Sequence, residues 1–368
     1  MDKIKKNFGF GCMRMQMVGE EVDYDAFKQM IDTFLDAGFN YFDTAHGYIS
    51  GKSETAIRDC LAARHPRESY ILTNKLTDSY FKTREEIRPL FESQLQLCGV
   101  EYFDFYLMHA LNNSRFDFFQ SCGAFDEVLQ LKAEGKVRHM GISFHDKAAV
   151  LDRILTERPE IEVVQIQFNY LDYEDPAVES RACYEVCRKH NKPVIVMEPV
   201  KGGKLANMSE DALAIYKELG DMSAASYAIR FAAGHEGIVM VLSGMGNMAM
   251  MNDNLSYMQD FKSLNEKELE AVWKVADILI KQNQVACTSC KYCVDGCPAG
   301  IKIPELFSCL NTKRTFRDPI ADYYYHEVHT VDSGKASDCV ECGQCEQACP
   351  QQLPIRQLLK LTARIFDK

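Results

Sequence analysis

The sequence has 368 residues, of which 46% are hydrophobic and 26% charged, and a formal net charge of −11. This length favours one large unit with its own core and a second, smaller one. The acidic balance argues against nucleic acid as a partner. No apolar run approaches the roughly 18 residues that a membrane span needs, and the N-terminal stretch lacks a signal-peptide pattern. We therefore expect a cytoplasmic protein that acts on a small molecule, away from membranes.

Short apolar runs alternate with amphipathic stretches from the start of the chain to about residue 245, a pattern typical of βα units and a parallel sheet. Eight such units have the count and size of a (β/α)8 TIM barrel. The open doubly wound alternative predicts a glycine-rich fingerprint after the first strand, which is missing here. Helices are predicted over 24–37, 83–97, 147–158 and 175–190, with Thr83 and Asp175 as capping residues. The predicted strands begin at Phe8, Phe39, Tyr70, Phe103, Arg138, Val163, Pro193 and Gly237.

Ionisable residues follow three successive predicted strands, at the end where TIM barrels carry their active sites. Asp43 and Tyr48 lie in the segment FDTAHGY, Lys75 ends the next strand, and His109 ends the one after. A phenol titrates near 10 and donates its proton poorly at neutral pH unless a nearby ammonium stabilises the phenolate. Lys75 would supply that charge, so the four residues predict a proton-transfer site. The alternative is an ion pair of Asp43 with Lys75 that only satisfies two charges.

Fifteen cysteines in a reducing compartment indicate metal or redox chemistry. Eight of them form two motifs of spacing C-x2-C-x2-C-x3-C, each followed by proline. Three thiolates of such a motif bind three corners of a cubane, and the fourth typically reaches the other cluster. Zinc is the alternative, but zinc modules usually bring their cysteines in pairs with a long gap between them. We expect one [4Fe-4S] cluster on Cys287, Cys290, Cys293 and Cys349, and a second on Cys339, Cys342, Cys345 and Cys297.

The C-terminal third divides at this duplicated motif. The segment that starts at Asn265 predicts a helix, and IKIPELFSCLNTKR, between the motifs, reads as a second one. The α/β chain is therefore predicted to comprise a (β/α)8 TIM barrel over 1–262 and a linker helix over 263–285. A small, mainly helical, ferredoxin-like iron-sulfur domain follows over 286–368.

The segments FDTAHGY, GKSE, MHA, GIS and NDNL occur in the order found in the aldo-keto reductase superfamily, which the chain resembles over residues 8–255. The resemblance implies that Tyr48 is the general acid and that Lys75 and Asp43 tune it. It implies further that His109 orients a substrate carbonyl. A barrel followed by a two-cluster module is similar to an iron-sulfur branch of this superfamily.

The nicotinamide end of the predicted cofactor site departs from the superfamily pattern. Ser143 and Gln165 match positions that bind the nicotinamide in the superfamily. Phe144, however, stands where asparagine is usual, and Met197 stands where a stacking tyrosine is usual. The resemblance therefore supports only half of this pocket.

The other end of the cofactor site resembles a phosphate loop. Arginine and lysine normally read a 2′-phosphate, but Gly244 and Met250 stand in or near those places. We interpret Met245, Met248, Met250 and Met251 as a packed helix face rather than as cofactor contacts. The expected cofactor is FMN, or else NAD(P)H bound without preference for its 2′-phosphate. The residues assigned to this end are Ser243, Gly244, Met245, Gly246, Asp253 and Asn254.

Together these features predict an iron-sulfur oxidoreductase that moves electrons between two [4Fe-4S] clusters and a carbonyl or similar unsaturated substrate, with a ferredoxin or flavoprotein as electron partner. Two alternatives remain open from the sequence. One is an ordinary NAD(P)H-dependent reductase with structural clusters, and the other is a non-catalytic redox-sensing subunit.

Overall fold

The predicted barrel is confirmed by the structure, a computed structural model that describes residues 3–281, 285, 287, 289–349 and 351–367. Eight parallel strands close a barrel in which neighbours along the chain pair and the last strand pairs with the first. Each begins within two residues of its predicted start. A short antiparallel hairpin, β2–β3, was not predicted. The strands are β1 (Phe8–Gly11), β2 (Met17–Val18), β3 (Glu21–Val22), β4 (Tyr41–Asp43), β5 (Ile71–Leu76), β6 (Phe103–Leu111), β7 (Val137–Phe144), β8 (Val163–Gln167), β9 (Val194–Met197) and β10 (Ile238–Ser243).

The inside of the barrel is filled by apolar side chains, because alternate residues of each strand point inward. Gly141 of β7 shows how tight the filling is, since a Cβ atom there would lie 2.5 Å from Val163 Cγ1. The polar residues of a site must therefore lie at the strand ends. The interior residues are Tyr41, Ile71, Phe105, Leu107, Val163, Ile195, Met240 and Leu242.

Amphipathic helices cover the outside of the barrel and bury their apolar faces against it. The predicted start of α3 is confirmed, because Thr83 is its N-cap and the Glu86 carboxylate accepts the Thr83 N–H at 3.3 Å. A π-helix, Arg58–Ala62, continues α2. The helices are α1 (Tyr24–Asp36), α2 (Lys52–Ile57), α3 (Arg84–Cys98), α4 (Asn113–Ser121), α5 (Ala124–Ala133), α6 (Ala148–Glu157), α7 (Ser180–Lys189), α8 (Glu210–Lys217), α9 (Ala224–Ala233) and α10 (Met248–Met258).

The prediction that Asp175 caps a helix is wrong. Helix α7 begins at Ser180, and its N-cap is Glu179. Asp175 instead closes a turn, in which its carboxylate accepts the N–H of Ala177 at 2.7 Å. The same carboxylate accepts the hydroxyl of Ser308, from the C-terminal domain, at 2.6 Å. A carboxylate that stabilises a turn gives the same local sequence signal as one that caps a helix.

The helix of the proposed linker, α11 (Glu266–Lys281), begins where it was predicted, and the side chain of Asn265 accepts a first-turn N–H at 3.0 Å. Its apolar face belongs to the barrel core, in which Val272 and Val275 are fully buried. Residues 263–285 thus remain our proposed linker, although most of this segment packs on the barrel.

The C-terminal domain is mainly helical, as predicted. Its core is built around α12 and α15, with Phe307 and Tyr324 buried and the rings of Tyr325 and Phe366 stacked at 4.4 Å between centroids. Within the described part of the chain, none of the helices combines the length and apolar character needed to span a bilayer. The helical segments are α12 (Ile303–Phe316), α13 (Ile320–Tyr323), a π-helix (Tyr324–His329), α14 (Gln344–Ala348) and α15 (Ile355–Phe366).

Candidate active site and cluster-binding domain

The predicted catalytic residues converge at one end of the barrel. Lys75 is fully buried, and its ammonium group donates to Asp43 Oδ1 at 2.6 Å, to the Thr44 carbonyl at 2.8 Å and to the Tyr48 hydroxyl at 3.1 Å. The rings of Tyr48 and His109 lie edge to face with centroids 6.0 Å apart. The structure therefore brings together all four residues that the sequence singled out.

Burial dominates the electrostatics of Tyr48. It raises the pKa of the phenol above its usual value of 10, while the charge of Lys75 acts in the opposite direction. Asp43 offsets much of that charge, because it lies 2.6 Å from the Lys75 ammonium. Burial by itself would lower the pKa of Lys75, but Asp43 and Tyr48 together hold this pKa above its usual range. The expectation that Lys75 lowers the phenol's pKa thus describes one contribution, and the net pKa is raised.

His109 is held as a neutral imidazole. Burial lowers its pKa well below the usual value, and the charge of Lys75 adds to this effect. Its Nδ1 atom lies 2.7 Å from the hydroxyl of Thr77. If that hydroxyl donates, the ring carries its proton on Nε2 and can donate it to a substrate oxygen. Sequence reasoning missed Thr77, although its position two residues after Lys75 puts it on the same side of an extended segment.

Two further predicted residues join this group from neighbouring strands. Gln165 donates its side-chain N–H to Asp43 Oδ2 at 3.1 Å. The hydroxyl oxygen of Ser143 accepts the N–H of Ala110, the residue after His109, at 2.7 Å. Both side chains that were assigned to the nicotinamide therefore contact the ends of β4 and β6, the strands that precede Tyr48 and carry His109.

A cavity of about 570 Å³ lies at the carboxyl ends of β9 and β10, and all six residues assigned to the phosphate and adenosine end of the cofactor site line it. The hydroxyl of Ser243 donates to Asn254 Oδ1 at 2.7 Å, which ties the end of β10 to α10. Met250 also lines the cavity and is 48% exposed, whereas Met251 is buried. The interpretation of Met250 as part of a packed helix face is therefore wrong, because the face of α10 that packs against the core carries Met251 and not Met250.

Sequence reasoning also missed Arg14, which follows β1. Its guanidinium lies 3.6 Å from Glu198, and both side chains line the cavity. The Arg14 side chain also lies against the phosphate-loop glycine, since a Cβ atom added at Gly244 would be 3.3 Å from its Cδ. Arg14 thus supplies a cation beside the loop, where the sequence pattern predicted none. A lone arginine after a strand gives no motif by which it could have been found.

The eight motif cysteines surround two cavities in the C-terminal domain. Each cavity combines three cysteines of one motif with the last cysteine of the other. Each cavity is thus lined by four cysteines, the number of thiolates that one cubane needs. Pro350, which follows Cys349 in the second motif, lies outside the described residues. The first cavity is lined by Cys287, Cys290, Cys293 and Cys349, and the second by Cys297, Cys339, Cys342 and Cys345.

Comparison with known proteins agrees with this division of the chain. The aldo/keto reductase family profile matches residues 7–277, and a 4Fe-4S dicluster domain profile matches residues 286–353. The chain therefore belongs to the aldo/keto reductase family and is an oxidoreductase with a C-terminal 4Fe-4S dicluster domain.

Two curated relatives each match part of this chain. The chain is 30% identical over 196 residues to the NADH-specific methylglyoxal reductase of Escherichia coli, a match that covers 48% of this chain and 57% of that protein. It is 25% identical over 240 residues to the 9,11-endoperoxide prostaglandin H2 reductase of Trypanosoma cruzi, covering 65% of this chain and 78% of that one. The match thus spans little more than half the length of the E. coli relative.

Solved structures show the same fold. An aldo-keto reductase from Klebsiella pneumoniae in complex with NADPH superimposes with a TM-score of 0.60 at 18% identity, covering 73% of this chain and 90% of that one. An aldo/keto reductase from Brucella melitensis gives a TM-score of 0.58 at 23% identity, covering 74% of this chain and 98% of that one. In both cases the shared part is about the size of the barrel.

Removing one charge of the buried Lys75–Asp43 pair should destabilise the barrel strongly, because the other charge would remain without a counter-ion. We expect Lys75→Met to lower the free energy of unfolding by about 3–5 kcal/mol, measured by chemical denaturation followed by circular dichroism. The double variant Asp43→Leu/Lys75→Met removes both charges of this pair and should recover much of that loss. A double variant as unstable as Lys75→Met would contradict this account.

Proposed function

We propose that the protein reduces the carbonyl, or a similar unsaturated group, of a small molecule, with Tyr48 as the proton donor. The observation that carries this proposal is the contact of Lys75 with both Asp43 and Tyr48 at the barrel mouth. As negative charge develops on a substrate oxygen, Tyr48 gives up its proton, and the nearby Lys75 ammonium stabilises the phenolate that remains. Neutral His109, with Nδ1 bonded to Thr77, orients the same oxygen through Nε2.

The two cysteine cavities are proposed as sites for [4Fe-4S] clusters, with the four thiols of each cavity as ligands. The cavity beside Ser243 is proposed as the cofactor site, with the loop N–H groups and Arg14 facing the phosphate. When bound, the clusters exchange single electrons, and the nicotinamide or flavin supplies the hydride.

The cavity lined by the phosphate loop, Asp253 and Asn254 suits the phosphate and adenosine end of a nicotinamide dinucleotide. The absence of a second cation at Met250 argues against a preference for the 2′-phosphate. FMN remains a second candidate on a specific observation. Phe144, which replaces the usual carboxamide ligand, is buried in the barrel core and cannot bind a nicotinamide amide. A flavin also accepts electrons singly, as exchange with a cubane requires.

The function is tested by mixing anaerobically purified, cluster-loaded protein with methylglyoxal and either NADH or NADPH, and following cofactor absorbance. Turnover supports carbonyl reduction, and none with a panel of small aldehydes and ketones would contradict it. Denaturing the same preparation and examining the supernatant for flavin fluorescence separates the two cofactors. Dithionite-reduced clusters that are reoxidised when substrate is added would exclude purely structural clusters.

Arg14→Ala should weaken binding of the phosphate-bearing cofactor about tenfold or more, because a charge-assisted hydrogen bond contributes roughly 1.5–3 kcal/mol. Calorimetric titration of the anaerobic protein with NADH, NADPH and FMN measures this Kd. Arg181→Ala is the matched control, since that guanidinium pairs with Glu174 and Glu185 on the outside of the barrel. An unchanged Kd for Arg14→Ala would remove Arg14 from the cofactor site.

A further inference from the structure

The predicted catalytic His109 lies in a β-bulge. The pairing register of β6 with β7 shifts between Met108 and Leu111. Ala110, within the bulge, has a φ of 55°, in the left-handed region that alanine rarely adopts. Its N–H donates to the Ser143 hydroxyl oxygen at 2.7 Å. Because a bulge interrupts the ladder between two strands, the Ala110 carbonyl must find a donor elsewhere.

One of the donors to this carbonyl comes from the C-terminal domain. The Tyr323 hydroxyl donates to the Ala110 carbonyl at 3.3 Å, and Arg115 Nη1 donates to it at 3.3 Å. Arg115 Nη1 also donates to the Tyr323 hydroxyl at 2.8 Å, so the three groups form a triangle. Beside them, the Asn112 side chain donates to the Glu327 carbonyl at 2.8 Å. Two consecutive turns of the C-terminal domain thus contact the loop that carries His109.

Ring packing adds to these hydrogen bonds. His145 follows β7, and its backbone N–H donates to the Leu111 carbonyl at 2.8 Å, next to the bulge. Its ring packs against Tyr323 at 5.2 Å and Tyr324 at 6.2 Å between centroids. The ends of β6 and β7 are therefore both held by the same segment of the C-terminal domain.

We infer that the C-terminal domain is a structural part of the barrel's active site, in which Tyr323 and Arg115 act as positioning residues for the His109–Ala110 bulge. The inference rests on the proposed function only in that His109 orients the substrate. Events that loosen the C-terminal domain, including loss of its clusters, change the position of His109 even when the hydride comes directly from a nicotinamide. The domain thus affects carbonyl reduction whether or not electrons pass through it.

Hydrogen–deuterium exchange of the cluster-loaded protein tests this without any substrate. We expect Tyr323→Phe to speed exchange in the peptide 106–116 about tenfold, because losing a hydrogen bond lowers the free energy needed to open this segment locally. Arg115→Lys keeps the charge, loses the Nη1 group that donates to both oxygens, and should give a similar increase. Tyr325→Phe is the control, because it removes a hydroxyl from the π-helix that directly follows α13. The partners of that hydroxyl, Asp367 and Ala336, lie within the C-terminal domain.

Wild-type exchange in 106–116 for both variants would overturn the inference. An equal increase in Tyr325→Phe, with wild-type exchange in the rest of the C-terminal domain, would do the same, because the effect would then not depend on the contact of Tyr323 with Ala110. In the methylglyoxal assay we expect Tyr323→Phe to lower kcat several-fold with little change in the Kd for NADH or NADPH. If the wild-type protein reduces no carbonyl, the proposed function fails, while the exchange result still decides whether the C-terminal domain positions the bulge.

Discussion

Tyr48→Phe should lower turnover by about 10²- to 10⁴-fold, the usual contribution of a positioned proton donor. The variant removes one oxygen and little volume, so binding of the nicotinamide or flavin should stay close to the wild-type value. The loss should appear in kcat under conditions where chemistry limits the rate. Lys75→Met should also lower turnover, because without the ammonium the pKa of the phenol rises further.

The control for this variant is Tyr184→Phe, which removes a hydroxyl that donates to the Glu236 carbonyl at 2.7 Å on the outside of the barrel. It should leave kcat and cofactor binding unchanged. A Tyr48→Phe enzyme that keeps near wild-type kcat, with chemistry shown to be rate-limiting, would mean that the barrel does not use Tyr48 as its acid.

Iron and sulfide should reach about eight of each per chain in anaerobically purified protein, the content of two cubanes. Double variants then test whether the last cysteine of each motif binds the cluster of the other motif, or whether each motif binds its own cluster with all four of its cysteines. Cys287→Ala/Cys349→Ala removes two thiols from one cavity and should leave about four iron. Cys287→Ala/Cys297→Ala removes one thiol from each cavity and should damage both clusters.

The opposite pattern of iron loss would show that each motif binds its own cluster, and stoichiometric zinc would exclude iron-sulfur clusters altogether. Cys309→Ala is the control, because this buried cysteine of α12 lines neither cavity and should leave the iron content unchanged. Electron paramagnetic resonance of the reduced protein distinguishes a lost cluster from one that keeps three irons.

The barrel could be predicted because its strands are buried runs of apolar residues bounded by polar ends, a pattern that each segment carries by itself. The predicted catalytic residues were found for the same reason, since Asp43, Lys75 and His109 each interrupt or end such a run. The start of α3 was predictable because Thr83 and Glu86 form a capping box within four residues.

Other parts of the site depend on contacts between segments that are distant in the sequence. Arg14 meets the phosphate loop only because β1 and β10 are neighbours in the closed barrel. Tyr323 meets Ala110 only through docking of the C-terminal domain. The net rise in the pKa of Tyr48 depends on how deeply the phenol is buried, which the sequence motif does not encode.

Each cysteine cavity joins three thiols from one end of the C-terminal domain to a single thiol from the other end. Clusters bound in both would act as two nested cross-links, closing loops of roughly 40 and 60 residues. By analogy with disulfides, each would remove about 4 kcal/mol of unfolded-chain entropy. Without iron both constraints are lost, and an opened segment of this kind is readily cut by proteases. We therefore expect the lifetime of the protein in the cell to follow the iron supply.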